Sequence, residues 1–124
     1  MSKRVLIVED EVEFCEILSQ NLEILFGFEV VCAHDGEAGF DKFKESQFDL
    51  VITDIRMPKK NGLQLYHAIR DINKTVPVMM ITGFADYLHT ELLAMGVSSV
   101  HTKPLELKEL NDKIELLLQV KPLS

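Results

Sequence analysis

Five polar residues in this sequence directly follow or end apolar runs of strand length, and their side chains suit phosphoryl chemistry. They are Glu9, Asp10, Asp54, Thr82 and Lys103. Three carboxylates held close together repel one another unless a cation balances them. Mg²⁺ prefers oxygen ligands and often uses one or two carboxylates with a phosphate oxygen, so we expect Mg²⁺ here. An aspartate beside such a cation can act as a nucleophile and form an acyl phosphate.

The predicted nucleophile is Asp54, and the other groups have complementary roles. Phosphoryl transfer needs mainly charge neutralisation and positioning, which Mg²⁺, Lys103 and the Thr82 hydroxyl can supply. Each residue taken alone has an ordinary structural explanation: Asp10 can cap a helix, Thr82 can be a β-branched strand residue, and Lys103 can be a solvated loop charge. Their common position at strand ends favours the chemical interpretation.

The elements that must position these residues are visible as short apolar runs separated by segments with helical spacing. Strands are predicted at residues 5–8, 28–33, 50–53, 76–82 and 97–102. A helix is expected from about Ala85 to Met95, ended by Gly96, and an amphipathic helix from Leu107 to Leu118. This alternation predicts an α/β three-layer domain with parallel strands, whose carboxyl ends share one edge where ligands usually bind.

Size and charge limit the possible functions. The 124 residues are enough for one domain, and a formal charge of −7 argues against holding nucleic acid or an anionic membrane by bulk electrostatics. The apolar run near the N-terminus is too short for a signal peptide, and no run approaches the ~20 apolar residues of a membrane span. We therefore expect a cytoplasmic protein.

The two cysteines and four histidines do not have the spacing of a metal site. Cys15 and Cys32 lie in apolar contexts far apart in the sequence, so we expect buried, reduced thiols. No histidine has zinc-ligand spacing with either cysteine, which argues against zinc.

Four motifs make the chain resemble the receiver domain of two-component response regulators over nearly its whole length. They are "VLIVED" (5–10), "DLVITDIRMPKKNG" (49–62), "PVMMITG" (77–83) and "TKP" (102–104). The resemblance implies a flavodoxin-like (βα)5 three-layer sandwich, with a parallel five-stranded sheet of order 2-1-3-4-5. It assigns residues 1–120 to the receiver domain and residues 121–124 to a C-terminal tail or the start of a linker.

The resemblance also implies a set of magnesium ligands. Carried over by position, Asp10 and Asp54 give carboxylate ligands, and the backbone carbonyl of Arg56 gives a further one. Glu9 is implied to bind the metal through water.

The implied phosphoacceptor is Asp54, and the implied donor is a phosphohistidine on a sensor histidine kinase or a phosphotransfer protein. Lys103 would pair with one phosphoryl oxygen and Thr82 would hydrogen-bond another. The domain would catalyse its own phosphorylation and dephosphorylation, without otherwise being an enzyme.

The family's usual output surface is formed by the fourth helix, the fifth strand and the fifth helix. This surface would act on an unknown output partner or domain. The sequence leaves it undecided whether phosphorylation causes homodimerisation. No direct binding of nucleic acid by this segment is expected. Six residues are expected to be exposed there: Tyr87, His89, Glu91, Lys108, Asp112 and Glu115.

The sequence departs from the family pattern at Val100, since an aromatic residue usually stands three positions before the lysine and couples phosphorylation to the output surface. His101 should face the opposite side of the strand. Near the acceptor, Arg56 and Phe84 occupy positions where the family tunes access of water, and we hypothesise that both slow hydrolysis of the acyl phosphate.

Three other functions fit parts of this pattern. An aspartate-nucleophile phosphatase usually carries a second acid two residues on, where this chain has Arg56, and needs more chain for a substrate-binding cap. A flavin-binding domain of the same topology would repel the flavin phosphate with its three acids. An interaction module that keeps the fold but signals without phosphorylation is the more serious alternative, favoured by Val100 and opposed by the five polar residues.

Overall fold

The computed structural model describes residues 2–83 and 89–123, in which five strands alternate with five helices. The strands are β1 (Arg4–Val8), β2 (Glu29–Ala33), β3 (Leu50–Asp54), β4 (Val78–Thr82) and β5 (Ser99–Thr102). The helices are α1 (Val12–Phe26), α2 (Gly36–Glu45), α3 (Gly62–Ile72), α4 (His89–Ala94) and α5 (Leu107–Leu118). This order confirms the predicted α/β alternation.

The strands form one parallel sheet in the order β2-β1-β3-β4-β5, as the resemblance implied. The order places β1 beside β3, with Val8 opposite Thr53 in the register. Residues that follow β1 and β3 are therefore neighbours at the carboxyl edge of the sheet. Gly96 follows α4 with a φ of 105°, the left-handed conformation that ends a helix, as predicted. The predicted start of that helix, at Ala85, lies outside the described residues.

The core has two layers because successive strand side chains point to opposite faces of the sheet. In β1, Leu6 and Val8 pack toward α2, α3 and α4, whereas Val5 and Ile7 pack toward α1 and α5. All four side chains are fully or almost fully buried. Burial on both faces explains why the central strands are continuous apolar runs rather than alternating ones.

The helix ends near the carboxyl edge are set by local hydrogen bonds. Asp35 caps α2 by accepting from the backbone N–H of Ala38, at 2.7 Å. Asn61 and Gln64 form a reciprocal capping box at the start of α3, with bonds of 2.9 and 2.8 Å. These caps fix where the loops after β2 and β3 end, and so limit the paths that the loops can take.

The cysteines are both free, and the fold brings them together. Cys15 is fully buried, as expected, whereas Cys32 is only partly buried. The Cys32 thiol donates to the carbonyl oxygen of Cys15 at 3.8 Å. Their proximity was not visible in the sequence, where 17 positions separate them.

Among the described residues, every helix is too short or too polar to cross a membrane.

Candidate functional site

The carboxyl edge of the sheet carries polar residues at three strand ends. Glu9 follows β1, Asp54 ends β3, and Thr82 ends β4 opposite Thr102. The backbone pairing continues past the strands, since the N–H of Lys103 donates to the carbonyl of Thr82 at 2.8 Å. Glu9, Asp54 and Thr82 have exposed fractions of 1%, 5% and 2%. These polar side chains are thus buried at the carboxyl edge of the sheet rather than exposed to solvent.

The Lys103 ammonium is the centre of the cluster. Its Nζ lies 3.0 Å from Asp54 Oδ2 and 3.2 Å from Glu9 Oε1. It also lies 2.9 Å from Glu11 Oε1 and 4.9 Å from the centre of the Phe14 ring. One cation therefore contacts three carboxylates and an aromatic face. The contact with Asp54 joins residues 49 positions apart, as predicted from their places at strand ends.

Glu9 has a pKa well above that of an ordinary glutamate. Burial raises its pKa, the backbone N–H of Glu11 opposes this by donating to Glu9 Oε2 at 3.0 Å, and the charge of Asp54 raises the pKa further. The net result is a pKa of about 7. Glu9 Oε1 is buried and accepts no hydrogen bond of good geometry, although Lys103 is within ion-pair distance. An additional cation or proton would satisfy this oxygen.

Lys103 remains protonated at any physiological pH. Partial burial by itself lowers the pKa of the ammonium, but the hydrogen bonds to Glu11 and Asp54 and the charges of Asp54 and Glu9 outweigh burial and raise it. The site therefore contains a permanent cation positioned against the Asp54 carboxylate.

The acidic residues fit a divalent cation. Within the described part of the chain, Glu9, Glu11 and Asp54 offer oxygens that lie within 4.8 Å of one another. Oxygen donors suit Mg²⁺, and the unsatisfied Glu9 Oε1 is the kind of buried atom that a bound ion and its waters would satisfy.

A cavity of about 390 Å³ opens onto this acid cluster. Its lining residues are Asp10, Glu11, Asp54, Arg56, Gly83 and Lys103. Asp10 is exposed and is not among the three acids grouped most closely, so its role as a metal ligand stays a prediction. Glu11, by contrast, was missed at the sequence level. The available signal was the third acid in the run from Glu9 to Glu11.

The backbone after β3 is tightly packed against α3, and this packing holds Asp54. A Cβ atom on Gly62 would lie 2.3 Å from the carbonyl oxygen of Asp54, so only glycine fits. The N–H of Gly62 donates to Ile55 at 2.8 Å, and the Thr53 hydroxyl donates to the Asp54 carbonyl at 2.9 Å. Close packing against the Asp54 carbonyl thus explains why the last residue of the "DIRMPKKNG" motif is glycine.

Val100 and His101 face opposite sides of the sheet, as predicted. Val100 is half-buried against the core layer on the side of α2, α3 and α4. The half-buried His101 lies on the side of Ser99, whose hydroxyl is 2.9 Å from His101 Nε2. Burial lowers the pKa of His101. His101 therefore does not occupy the place that the aromatic residue takes in the family.

The expected output surface carries both polar and apolar exposed side chains where it is described, with Leu93 and Leu116 among the apolar ones. His89, Glu91, Lys108 and Asp112 are exposed, and Glu115 is partly exposed. Lys108 and Asp112 form an exposed ion pair at 2.9 Å. Tyr87 and Phe84 lie outside the described residues, so the expectations for them stay untested.

The chain is similar in sequence to known proteins over most of its length. The family described as "Response regulator receiver domain" matches residues 5–115. The transcriptional regulatory protein CpxR of Escherichia coli K12 is 37% identical over 117 residues, covering 94% of this chain and 49% of that protein. The alkaline phosphatase synthesis transcriptional regulatory protein PhoP of Bacillus subtilis is 30% identical over 120 residues, covering 96% and 50%. The chain thus spans about half the length of these relatives.

Solved structures give the same result for the fold. A response regulator receiver domain protein of Clostridium thermocellum superposes with a TM-score of 0.84 at 30% identity, covering 94% of each chain. The response regulator TrrA of Thermotoga maritima, solved in complex with Mg²⁺ and BeF, superposes with a TM-score of 0.82 at 32% identity, covering 93% of this chain and 98% of that one.

Proposed function

Because the chain belongs to the response regulator receiver domain family, we propose that Asp54 is its phosphoacceptor. The proposed donor is a phosphohistidine on a sensor histidine kinase or a phosphotransfer protein. The observation that carries this proposal is the contact of 3.0 Å between the Lys103 ammonium and the nearly buried Asp54 carboxylate, beside a cavity large enough for a phosphoryl group.

In the transfer step, a carboxylate oxygen of Asp54 attacks the phosphorus atom. An O–P bond forms while the N–P bond to the donor histidine breaks, and the imidazole leaves with the electron pair. Lys103 offsets the charge of the phosphoryl oxygens, and the Thr82 hydroxyl at the end of β4 is the proposed hydrogen-bond donor to one of them. In hydrolysis, water attacks the same phosphorus, which releases phosphate and restores the carboxylate.

Mg²⁺, when bound, would supply positive charge that offsets the acids and the phosphoryl oxygens. We propose Asp10, Asp54 and the backbone carbonyl of Arg56 as its direct ligands, with Glu9 acting through water. Asp10, Asp54 and Arg56 line the cavity, and Glu9 carries the unsatisfied oxygen next to it. These positions support the proposed ligand set.

The test is a mass measurement after incubation with Mg²⁺ and a small acyl phosphate. Wild-type protein should gain one phosphoryl group, and Asp54→Asn should gain none. Asp71→Asn is the matched control, because Asp71 is an exposed residue of α3 outside the cavity, and it should behave as wild type. Absence of a mass gain in the wild type, with a competent kinase as well, would contradict phosphoacceptance and favour an interaction module that signals without phosphorylation.

The second candidate function is this interaction module. It is favoured by Val100, because the aromatic side chain that usually couples phosphorylation to the output surface is absent at this position. The contacts of Lys103 with Asp54 and Glu9 oppose it, because a module with no phosphoryl chemistry has no need to bury two carboxylates around one ammonium.

We also propose that Arg56 and Phe84 slow hydrolysis of the acyl phosphate. Arg56 lines the cavity, whereas Phe84 is outside the described residues. Arg56→Ala and Phe84→Ala should each lose the phosphoryl group faster than wild type in a dephosphorylation time course. Unchanged rates would refute the idea.

For the whole protein, we propose a receiver domain at residues 1–120 that signals to an output partner or domain through the surface of α4, β5 and α5. Residues 121–124 are the proposed tail or linker. Within this segment, Leu123 donates its N–H to Leu25 at 2.8 Å, so the tail runs back along the end of α1.

A further inference from the structure

Glu11 contacts the Lys103 ammonium, although no role follows for it from the proposed function. Its Oε1 is 2.9 Å from Lys103 Nζ, as close as Asp54 at 3.0 Å. The three carboxylates that contact Lys103 differ in how far their side chains are exposed to solvent. The Glu11 side chain is 66% exposed, whereas those of Asp54 and Glu9 are 7% and 2% exposed.

The position of Glu11 before the first turn of α1 normally serves helix capping, but its side chain makes no capping hydrogen bond. The side chain instead reaches the cavity and contacts Lys103, while the backbone N–H of Glu11 donates to Glu9 Oε2. The Glu11 carboxylate therefore points toward Lys103 and the cavity rather than toward the N–H groups at the start of α1.

We propose that Glu11 is a positioning residue that competes with the arriving phosphoryl group for Lys103, and so restrains phosphorylation of Asp54. This inference rests on the proposed function. The Lys103 ammonium donates hydrogen bonds to Glu11 and Asp54, and Glu9 lies within ion-pair distance without accepting one. A phosphoryl group on Asp54 brings several anionic oxygens that compete with these carboxylates for the same ammonium.

Glu11 is the carboxylate that gives way, because water can replace its ion pair at low cost. Exposed ion pairs contribute little net free energy, whereas a buried carboxylate that loses its partner is left with an uncompensated charge. Glu9 and Asp54 are both buried, so either carboxylate would keep an uncompensated charge if it lost Lys103. The charge of Glu11 also repels an anionic donor as it approaches the cavity.

The test compares Glu11→Gln with wild type, because glutamine keeps the shape and an accepting oxygen while removing the charge. The second-order rate of phosphorylation by a small acyl phosphate, at saturating Mg²⁺, should rise about 3- to 5-fold, the factor that matches an exposed ion pair. Beryllofluoride, a phosphoryl mimic that needs no group transfer, should bind Glu11→Gln more tightly by a similar factor in calorimetry.

Salt separates the proposed competition from a merely structural effect. At 1 M salt, where the Debye length is about 3 Å, the difference between variant and wild type should nearly disappear. Glu13→Gln is the matched control: Glu13 is an exposed acid in the same turn of α1, and its carboxylate does not contact Lys103. It should follow wild type at all salt concentrations.

An equal or slower rate for Glu11→Gln, or a difference that persists at 1 M salt, would overturn the inference and leave the proposed function standing. If wild-type protein accepted no phosphoryl group and bound no beryllofluoride, the proposed function would fail, and the inference with it.

Discussion

Replacing Glu9 with glutamine is expected to stabilise the metal-free protein at pH 8 but not at pH 4.5. Glu9 is 1% exposed, and burial is the main reason why its pKa rises from 4.5 to about 7. The folded state therefore binds the proton more tightly than the unfolded chain does. As pH rises from about 4.5 to about 7, the unfolded chain releases this proton first, so the folded state loses stability over that window.

The magnitude follows from the size of the shift. Each pKa unit corresponds to about 1.4 kcal/mol, so the shift of Glu9 corresponds to about 3 kcal/mol above pH 7. Glutamine approximates the neutral form of Glu9 and avoids this cost. Lys103 keeps two carboxylate partners, Asp54 and Glu11, after the substitution. We therefore expect the free energy of unfolding to rise by about 2 to 3 kcal/mol at pH 8.

The assay is urea unfolding followed by circular dichroism, with a chelator present, at a series of pH values from 4.5 to 8.5. The advantage of Glu9→Gln over wild type should be small at the lowest pH, should grow up to about pH 7 and should then level off. Glu13→Gln removes an exposed acid and should show no such growth. A constant difference across the series, or a variant less stable than wild type at pH 8, would refute the reasoning.

Two further predictions concern close contacts. Gly62→Ala should lower stability by about 3 kcal/mol, because its Cβ would lie 2.3 Å from the Asp54 carbonyl oxygen. Gly83→Ala should change stability little, because no atom of the described residues other than its chain neighbours lies within 4 Å of the added Cβ, and equal losses in urea unfolding would contradict the steric argument. Gly96→Ala should also destabilise, since its Cβ would lie 2.6 Å from the Tyr66 hydroxyl oxygen. Tyr66→Phe removes that oxygen and its hydrogen bond of 2.9 Å to the Met95 carbonyl. The double variant Gly96→Ala/Tyr66→Phe should therefore lose less stability than the sum of the two single losses. Strict additivity in thermal unfolding would exclude a shared contact.

The sequence alone was enough to predict the sheet and the residues at its carboxyl edge. Apolar runs and helical spacing are local features, and parallel strands necessarily end on the same side. That is why Asp54 and Lys103 could be placed together although they are 49 positions apart. The order of the strands, by contrast, came from the resemblance to a family and not from the spacing.

Only the tertiary structure decided how the side chains around Lys103 are arranged. Glu11 is 92 positions away from Lys103, and nothing in the spacing distinguishes it from its neighbour Asp10. The direction of each side chain depends on the backbone path between β1 and α1, where Glu11 has an extended conformation with φ −81° and ψ 102°. Sequence periodicity determines which strand end a residue follows. Glu9 and Glu11, two of three consecutive acids, contact the ammonium. Which acids do so depends on loop dihedral angles and on packing against a distant strand, and these are set only when the chain is folded.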